Sequence, residues 1–253
     1  MRARLFILIA IVVIAIMGLL IWRARHSTEP VYHGKRLSIW LYECHEAHDK
    51  EATTAIRQIG TNALPTLLEL ARVKDSSTKK ALLNLADLQS EFAFDLHSAS
   101  QAHDLAVCGY GVLGPVARGA VPALTNLLSD PELQLTAILS LSCIGPSAQD
   151  AVPVLISQMS NTNNLVRACA KVAIGNIHSQ PALAIPALIA NLNLRDRSAH
   201  LNLLALSRFG SDATAAVPAV LPLLNDLNPL IRTAATNAIG QIDPEAITRA
   251  GVK

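Results

Sequence analysis

Two hydrophobic patterns divide the chain. Residues 5–22, LFILIAIVVIAIMGLLIW, carry no charge. As a helix rising about 1.5 Å per residue they reach about 27 Å, close to the roughly 30 Å hydrocarbon core of a bilayer. Arg2 and Arg4 precede the run, Arg23 and Arg25 follow it, and Trp22 stands where an interfacial aromatic is favoured. The run is too long for a cleaved signal and lacks a small-x-small cleavage site. It predicts an amino-terminal transmembrane anchor within residues 1–26, a linker over 27–35 and a folded body over 36–253. An anchor led by only four residues is expected to keep its tail inside and export the body to the periplasmic side.

Beyond residue 36 the apolar positions recur at helical spacing. One residue before Gly145, Gly175, Gly210 and Gly240 stand Ile144, Ile174, Phe209 and Ile239. Five before are the small Ser140, Ala170, Ala205 and Ala235; nine before are Thr136, Val166, Leu201 and Ile231. Positions four apart share a helix face, so each helix presents a large, small, mostly large face suited to close packing. AVPAL at 120, AVPVL at 151, AIPAL at 184 and AVPAV at 216 put Pro122, Pro153, Pro186 and Pro218 at steps of 31, 33 and 32. Proline suits a first helical turn, and glycine just past a helix supplies a left-handed cap. Each unit therefore reads as a short helix opened by proline, a turn, and a second helix closed by glycine. Asp130, Asn163, Asp196 and Asp226 mark the turns.

A single pair cannot bury such a face, but stacked neighbours can. The predicted class is all-α: an α-solenoid of about six helix pairs, preceded by one transmembrane helix. Earlier copies are degenerate, with ALPTL at 63–67 and QIG ending at Gly60. Pro65 to Gly114 spans 49 residues, against 22–24 in later units. That excess predicts a helical insertion at about 74–100. Leu82, Leu85, Leu88, Phe92 and Leu96 would form the apolar face of a helix over 77–98, with Asp87, Glu91 and Asp95 as an acidic stripe.

LVRACAKVAIG at 165–175 and LIRTAATNAIG at 230–240 resemble the HEAT-repeat family. The period near 32 resembles the short units of phycobilisome-lyase-type HEAT proteins. VYHGKRLSIWL at 31–41 resembles the opening segment of membrane-anchored bacterial HEAT-repeat proteins. The resemblance implies an ARM/HEAT-type superhelix acting as a protein-binding scaffold. It also implies that Arg167 and Arg232 pair with turn aspartates of adjacent units, for which Asp196 and Asp226 are candidates. The competing reading of these arginines is a concave groove shared with Lys171, Asn202 and Thr236.

Composition sharpens the picture. Hydrophobic residues make up 51%, aromatics 4% and charged residues 16%, which favours helices packed through small side chains over a β-sandwich. Residues 1–40 carry a net charge of +5 and the rest −3, so the body is no basic nucleic-acid binder. Cys44, His45 and His48, with His33 upstream, form the densest polar cluster, but without metal-site spacing. Cys108, Cys143 and Cys169 read as small core residues. An oxidising compartment would permit a disulfide between neighbouring units, at a Cα separation the sequence does not set. No Gly-x-Ser-x-Gly, phosphate-binding glycine loop or zinc-protease motif occurs. No catalytic residue, cofactor or metal is therefore expected. The expected function is a membrane-anchored scaffold with protein partners. Candidate contacts are Arg167, Lys171, Asn202, Arg232, Thr236, Asp87, Glu91 and Asp95. The alternative is a lyase- or chaperone-like module acting on a bound protein.

Overall fold

The computed structural model describes residues 29–75, 98–192 and 198–249. The span at 5–22, the acidic positions Asp87, Glu91 and Asp95, and Asp196 lie outside the described residues.

The expected linker ends in a small folded cap. β1 (Val31–Tyr32) pairs antiparallel with β2 (Lys35–Arg36). His33 and Gly34, at φ 48° and 77°, make the tight turn. Two successive left-handed residues match the twist of a two-residue hairpin, so His33 serves this turn. Helix α1 (Leu37–Ala47) follows directly. Its first N–H groups are satisfied by the hairpin approach: Leu37 N donates to the Pro30 carbonyl at 2.9 Å, and Ser38 N donates to the Glu29 carboxylate. The buried Trp40 donates through Nε1 to the Tyr32 carbonyl at 3.1 Å. The Lys35 ammonium lies 4.3 Å from the Trp40 ring centre. Together these contacts close the amino-terminal end of the core.

Next come α2 (Lys50–Ile59), α3 (Leu64–Ala71), α4 (Ala99–Leu113), α5 (Val121–Leu127), α6 (Gln134–Ile144), α7 (Val152–Gln158) and α8 (Asn164–Ile177). They are followed by α9 (Pro181–Leu192), α10 (Ala199–Arg208), α11 (Val217–Val220), α12 (Pro229–Ile242) and the short α13 (Ala246–Arg249). Among the described residues α1–α2, α3–α4, α5–α6, α7–α8, α9–α10 and α11–α12 form six successive pairs. The second helices α4, α6, α8, α10 and α12 each pack on the next, and α7 packs on α9. One continuous core runs from Leu37 to Ala246, as expected where each unit can bury its apolar face only against its neighbours. The architecture is an α-solenoid.

The small positions behave as their spacing predicts: Ser140, Ala170, Ala205 and Ala235 are fully buried. Nine before the glycine, Thr136 and Val166 are buried, but Leu201 and Ile231 are half-exposed.

The glycines divide into two groups. Gly60, Gly114, Gly145 and Gly210 have φ of 58°, 50°, 68° and 55°, and each opens a short 3-10 segment, as a left-handed terminus requires. Gly175 and Gly240 instead lie inside α8 and α12. Helix α8 is closed by His178, in the left-handed region at φ 31°. At Gly175 an added Cβ would stand 2.8 Å from Ala205 Cα, so glycine here permits the approach of α8 to α10 and does not end a helix. The prolines are similarly mixed. Pro65, Pro122, Pro153 and Pro218 sit in first turns, whereas Pro186 lies within α9, which begins five residues earlier at Pro181. Ser98, the last residue of the expected insertion helix, caps α4 in a reciprocal pair with Gln101.

Two stretches, Ala99–Leu127 and Gln134–Gln158, have the length and apolar content to cross a membrane. Each is a pair of helices joined through a left-handed glycine, and both contribute to the shared core.

Among the described residues the core holds buried polar atoms without a hydrogen-bond partner, the Tyr110 hydroxyl and Ser140 Oγ among them. The Tyr110 side chain is fully buried, and its hydroxyl has no hydrogen-bond partner. Burial also pushes its pKa upward. An unmet buried donor carries a desolvation cost, so Tyr110→Phe is expected to leave stability unchanged or raise it by up to about 1 kcal/mol. Urea unfolding of the two forms measures this; a loss above about 1 kcal/mol would mean that the hydroxyl is satisfied.

Candidate functional site

The two matching arginines act on their own turns. Asn161 and Asp226 occupy equivalent positions. Their Oδ1 atoms accept from Asn163 N at 2.8 Å and Asn228 N at 2.7 Å. Asn163 and Asn228 then cap α8 and α12, accepting from Leu165 N at 2.9 Å and Leu230 N at 3.0 Å. Arg167 and Arg232 reach back six residues to the same turns. Arg167 Nη1 donates to the carbonyls of Asn161 and Thr162 at 2.7 and 3.2 Å. Arg232 Nη1 donates to those of Asp226 and Leu227 at 2.7 and 3.0 Å.

The expected pairing of these arginines with turn aspartates of adjacent units, for which Asp196 and Asp226 are candidates, is not how Arg232 meets Asp226. The guanidinium binds the main-chain oxygen of Asp226 within its own unit, because exposed turn carbonyls lie within reach of a fork of N–H donors. Both arginines are half-buried turn clamps rather than open groove residues. Arg232→Met keeps the aliphatic stem and removes both bonds. It is expected to cost about 1–3 kcal/mol, read as a lower urea midpoint; an unchanged midpoint would mean that the clamp is idle.

Lys171 and Asn202 also leave the expected groove. Both are fully buried. Lys171 Nζ donates to Ser198 Oγ at 2.7 Å, and Asn202 Nδ2 donates to the Asn191 carbonyl at 3.1 Å. Lys171 thereby ties α8 to the start of α10, and Asn202 ties α10 to the end of α9. Thr236 is exposed, and its hydroxyl donates to the Arg232 carbonyl at 3.0 Å. Of the five groove candidates, Thr236 is the one the structure leaves fully exposed.

The second helices expose other residues instead: Gln101, Asp104 and Gly111 on α4, Leu165 on α8, Leu204 and Arg208 on α10, and Leu230, Thr233 and Thr236 on α12. Asp104 and Arg208 are the charged residues among the exposed positions of α4, α6, α8, α10 and α12. Leu165 and Leu230 are 54% and 53% exposed, and Leu227 in the last turn is 98% exposed. Leu165 and Leu230 stand ten residues before their glycines. The repeated Leu-(Val/Ile)-Arg at 165–167 and 230–232 is the sequence signal that marks this exposed position.

The polar pockets are small and internally tied. One of about 260 Å³ is lined by Lys74, Asp75, His103 and Glu132 with Val73 and Ala99. Lys74 is ion-paired with Asp130 and lies 3.6 Å from Glu132. The Asp130 bond raises the Lys74 pKa, and Lys74 lowers that of Asp130. The Asp75 carboxylate accepts from Ala99 N at 3.0 and 3.1 Å, and His103 Nε2 lies 2.8 Å from the Val73 carbonyl. These groups join α3, α4 and the turn before α6.

Among the described residues no three His, Cys, Asp or Glu side chains gather as metal ligands. His45 is exposed, and His48 takes a left-handed conformation that closes α1.

Residues 216–245 match the family model described as HEAT repeat. No curated protein matches the chain. The chain is similar to two engineered proteins of known crystal structure. One is 22% identical, with 82% of this chain and 96% of the other covered and a TM-score of 0.46. The second is 23% identical, with 85% and 61% covered and a TM-score of 0.46. The matched residues enclose α11 and α12, so the likeness to a HEAT repeat falls on the last helix pair of this solenoid.

Proposed function

We propose that this protein is a membrane-anchored HEAT-repeat scaffold whose second helices bind a protein partner on the periplasmic side. The observation that carries this reading is the stacking of α4, α6, α8, α10 and α12, which sets the exposed Leu165, Leu204 and Thr236 on three successive members of one row, α8, α10 and α12. Such a surface offers area with few charges, suited to a protein and poorly suited to nucleic acid. HEAT repeats generally mediate protein–protein interaction as scaffolds. The acidic positions Asp87, Glu91 and Asp95 are the proposed partner-specific addition.

What supports the anchor is the uncharged apolar run at residues 5–22. Six residues separate Trp22 from Glu29, a reach of about 25 Å at most. The hairpin and α1 would therefore be held close to the bilayer surface.

The full chain is expected to stay with membranes through alkaline extraction, and deletion of residues 1–26 should release it. A reporter active only in the cytoplasm, fused after Lys253, should be inactive. Extraction of the full chain at alkaline pH would overturn the anchor; an active reporter would overturn the exported orientation.

A further inference from the structure

We propose that Cys44 and Cys108 form a thiol–disulfide switch that covalently joins the first helix pair to the second. Cys44 lies near the end of α1 and Cys108 in the middle of α4, 64 residues apart in sequence. Their sulfur atoms stand 3.4 Å apart as free thiols. A disulfide bond is about 2.05 Å long, so closure asks for an approach of about 1.4 Å. Helices α1 and α4 pack against each other. A Cβ built on Gly109, the neighbour of Cys108, would stand 2.9 Å from Leu41 Cδ2 of α1. Glycine at 109 leaves room for the side chains of Leu41 and Leu67, and next to it the Cys44 and Cys108 sulfur atoms are in contact.

The chemistry is thiol–disulfide exchange with an organic disulfide as the oxidant. A thiolate of the pair attacks one sulfur of the acceptor and expels the first acceptor thiolate, leaving a mixed disulfide. The second protein thiolate attacks the protein sulfur of that mixed disulfide and expels the second acceptor thiolate. The two protein thiols give up two protons and two electrons, and the acceptor leaves as two thiols. Cys108 is partly exposed, which gives the acceptor access, while Cys44 is shielded. Burial, then the neighbouring Cys44, pushes the Cys108 thiol up to about 12. A thiolate so poorly stabilised makes the closed bond hard to reduce. The bond would pin α1 onto α4 and restrict the unfolded chain across the long intervening loop.

The test uses the full chain in detergent micelles, incubated with oxidised and reduced glutathione, alkylated and mapped by mass spectrometry. Two of the four thiols should disappear, with a Cys44–Cys108 cross-linked peptide and Cys143 and Cys169 left free. The oxidised form should melt roughly 5–10 °C above the reduced form. C44S should abolish both the cross-link and the redox-dependent shift, and C143S should keep both. Should C44S fail to fold, C108S serves as the second variant with the same expectation. Four persistent thiols, glutathione adducts without an internal link, or a link to Cys143 or Cys169 would overturn the switch. The result is independent of the anchor and the scaffold reading.

Discussion

Gly175→Val is expected to lower the unfolding free energy by about 2–3 kcal/mol, while Gly240→Ala raises it by about 0.5–1 kcal/mol. The two glycines occupy the same repeat position and differ in what surrounds them. A Cβ at Gly175 would stand 2.8 Å from Ala205 Cα and 3.1 Å from Ala205 Cβ. Ala205 Cα is backbone and cannot swing aside, so α8 and α10 must separate. At Gly240 nothing lies within 4 Å of the added atom, and a non-glycine residue in a helix interior relieves the propensity cost of glycine. At about 2–4 °C per kcal/mol for a body of this size, the melting temperatures should move in opposite directions. Shifts of the same sign would mean that the α8–α10 approach is misassigned.

Ala170→Leu should cost about 1–3 kcal/mol by overpacking. The residue is fully buried on α8, which packs against both α6 and α10. Three extra heavy atoms added at a fully buried helix contact press on the neighbouring helices. Ala235→Leu is expected to cost less, although that residue is equally buried. Helix α12 lies at the end of the row of second helices and can tilt outward. Thermal melts of both variants check this order. A neutral Ala170→Leu would show that the small positions are not the contact face.

The regular parts of the fold were readable because periodic packing writes periodic sequence. Ser140, Ala170, Ala205 and Ala235 stand at one register for one reason, the closeness of neighbouring helices. The glycine register was harder to read. A left-handed cap and a close helix approach both select glycine, and only the neighbour of Gly175 separates them. The hairpin at 31–36 has two residues per strand, too few to show alternation, although His33-Gly34 was an available turn signal. The candidate surface was legible as a row of second helices, not residue by residue. Lys171 and Asn202 look like solvent-facing polar residues until Ser198 of the next unit reaches Lys171 and the Asn191 carbonyl of its own helix pair reaches Asn202. Arg167 and Arg232 bind main-chain oxygens, and no residue type in the sequence announces those.

Site-specific photo-crosslinking in native membranes tests the scaffold most directly. A crosslinker is placed in the full-length chain at Leu165, Leu204 or Thr236, on three successive second helices, and at the exposed Leu183 of the first helix α9. The same identified protein should be captured from all three second-helix positions and not from Leu183. Capture of that protein equally from Leu183, or of no protein from the three, would contradict binding across the second-helix surface.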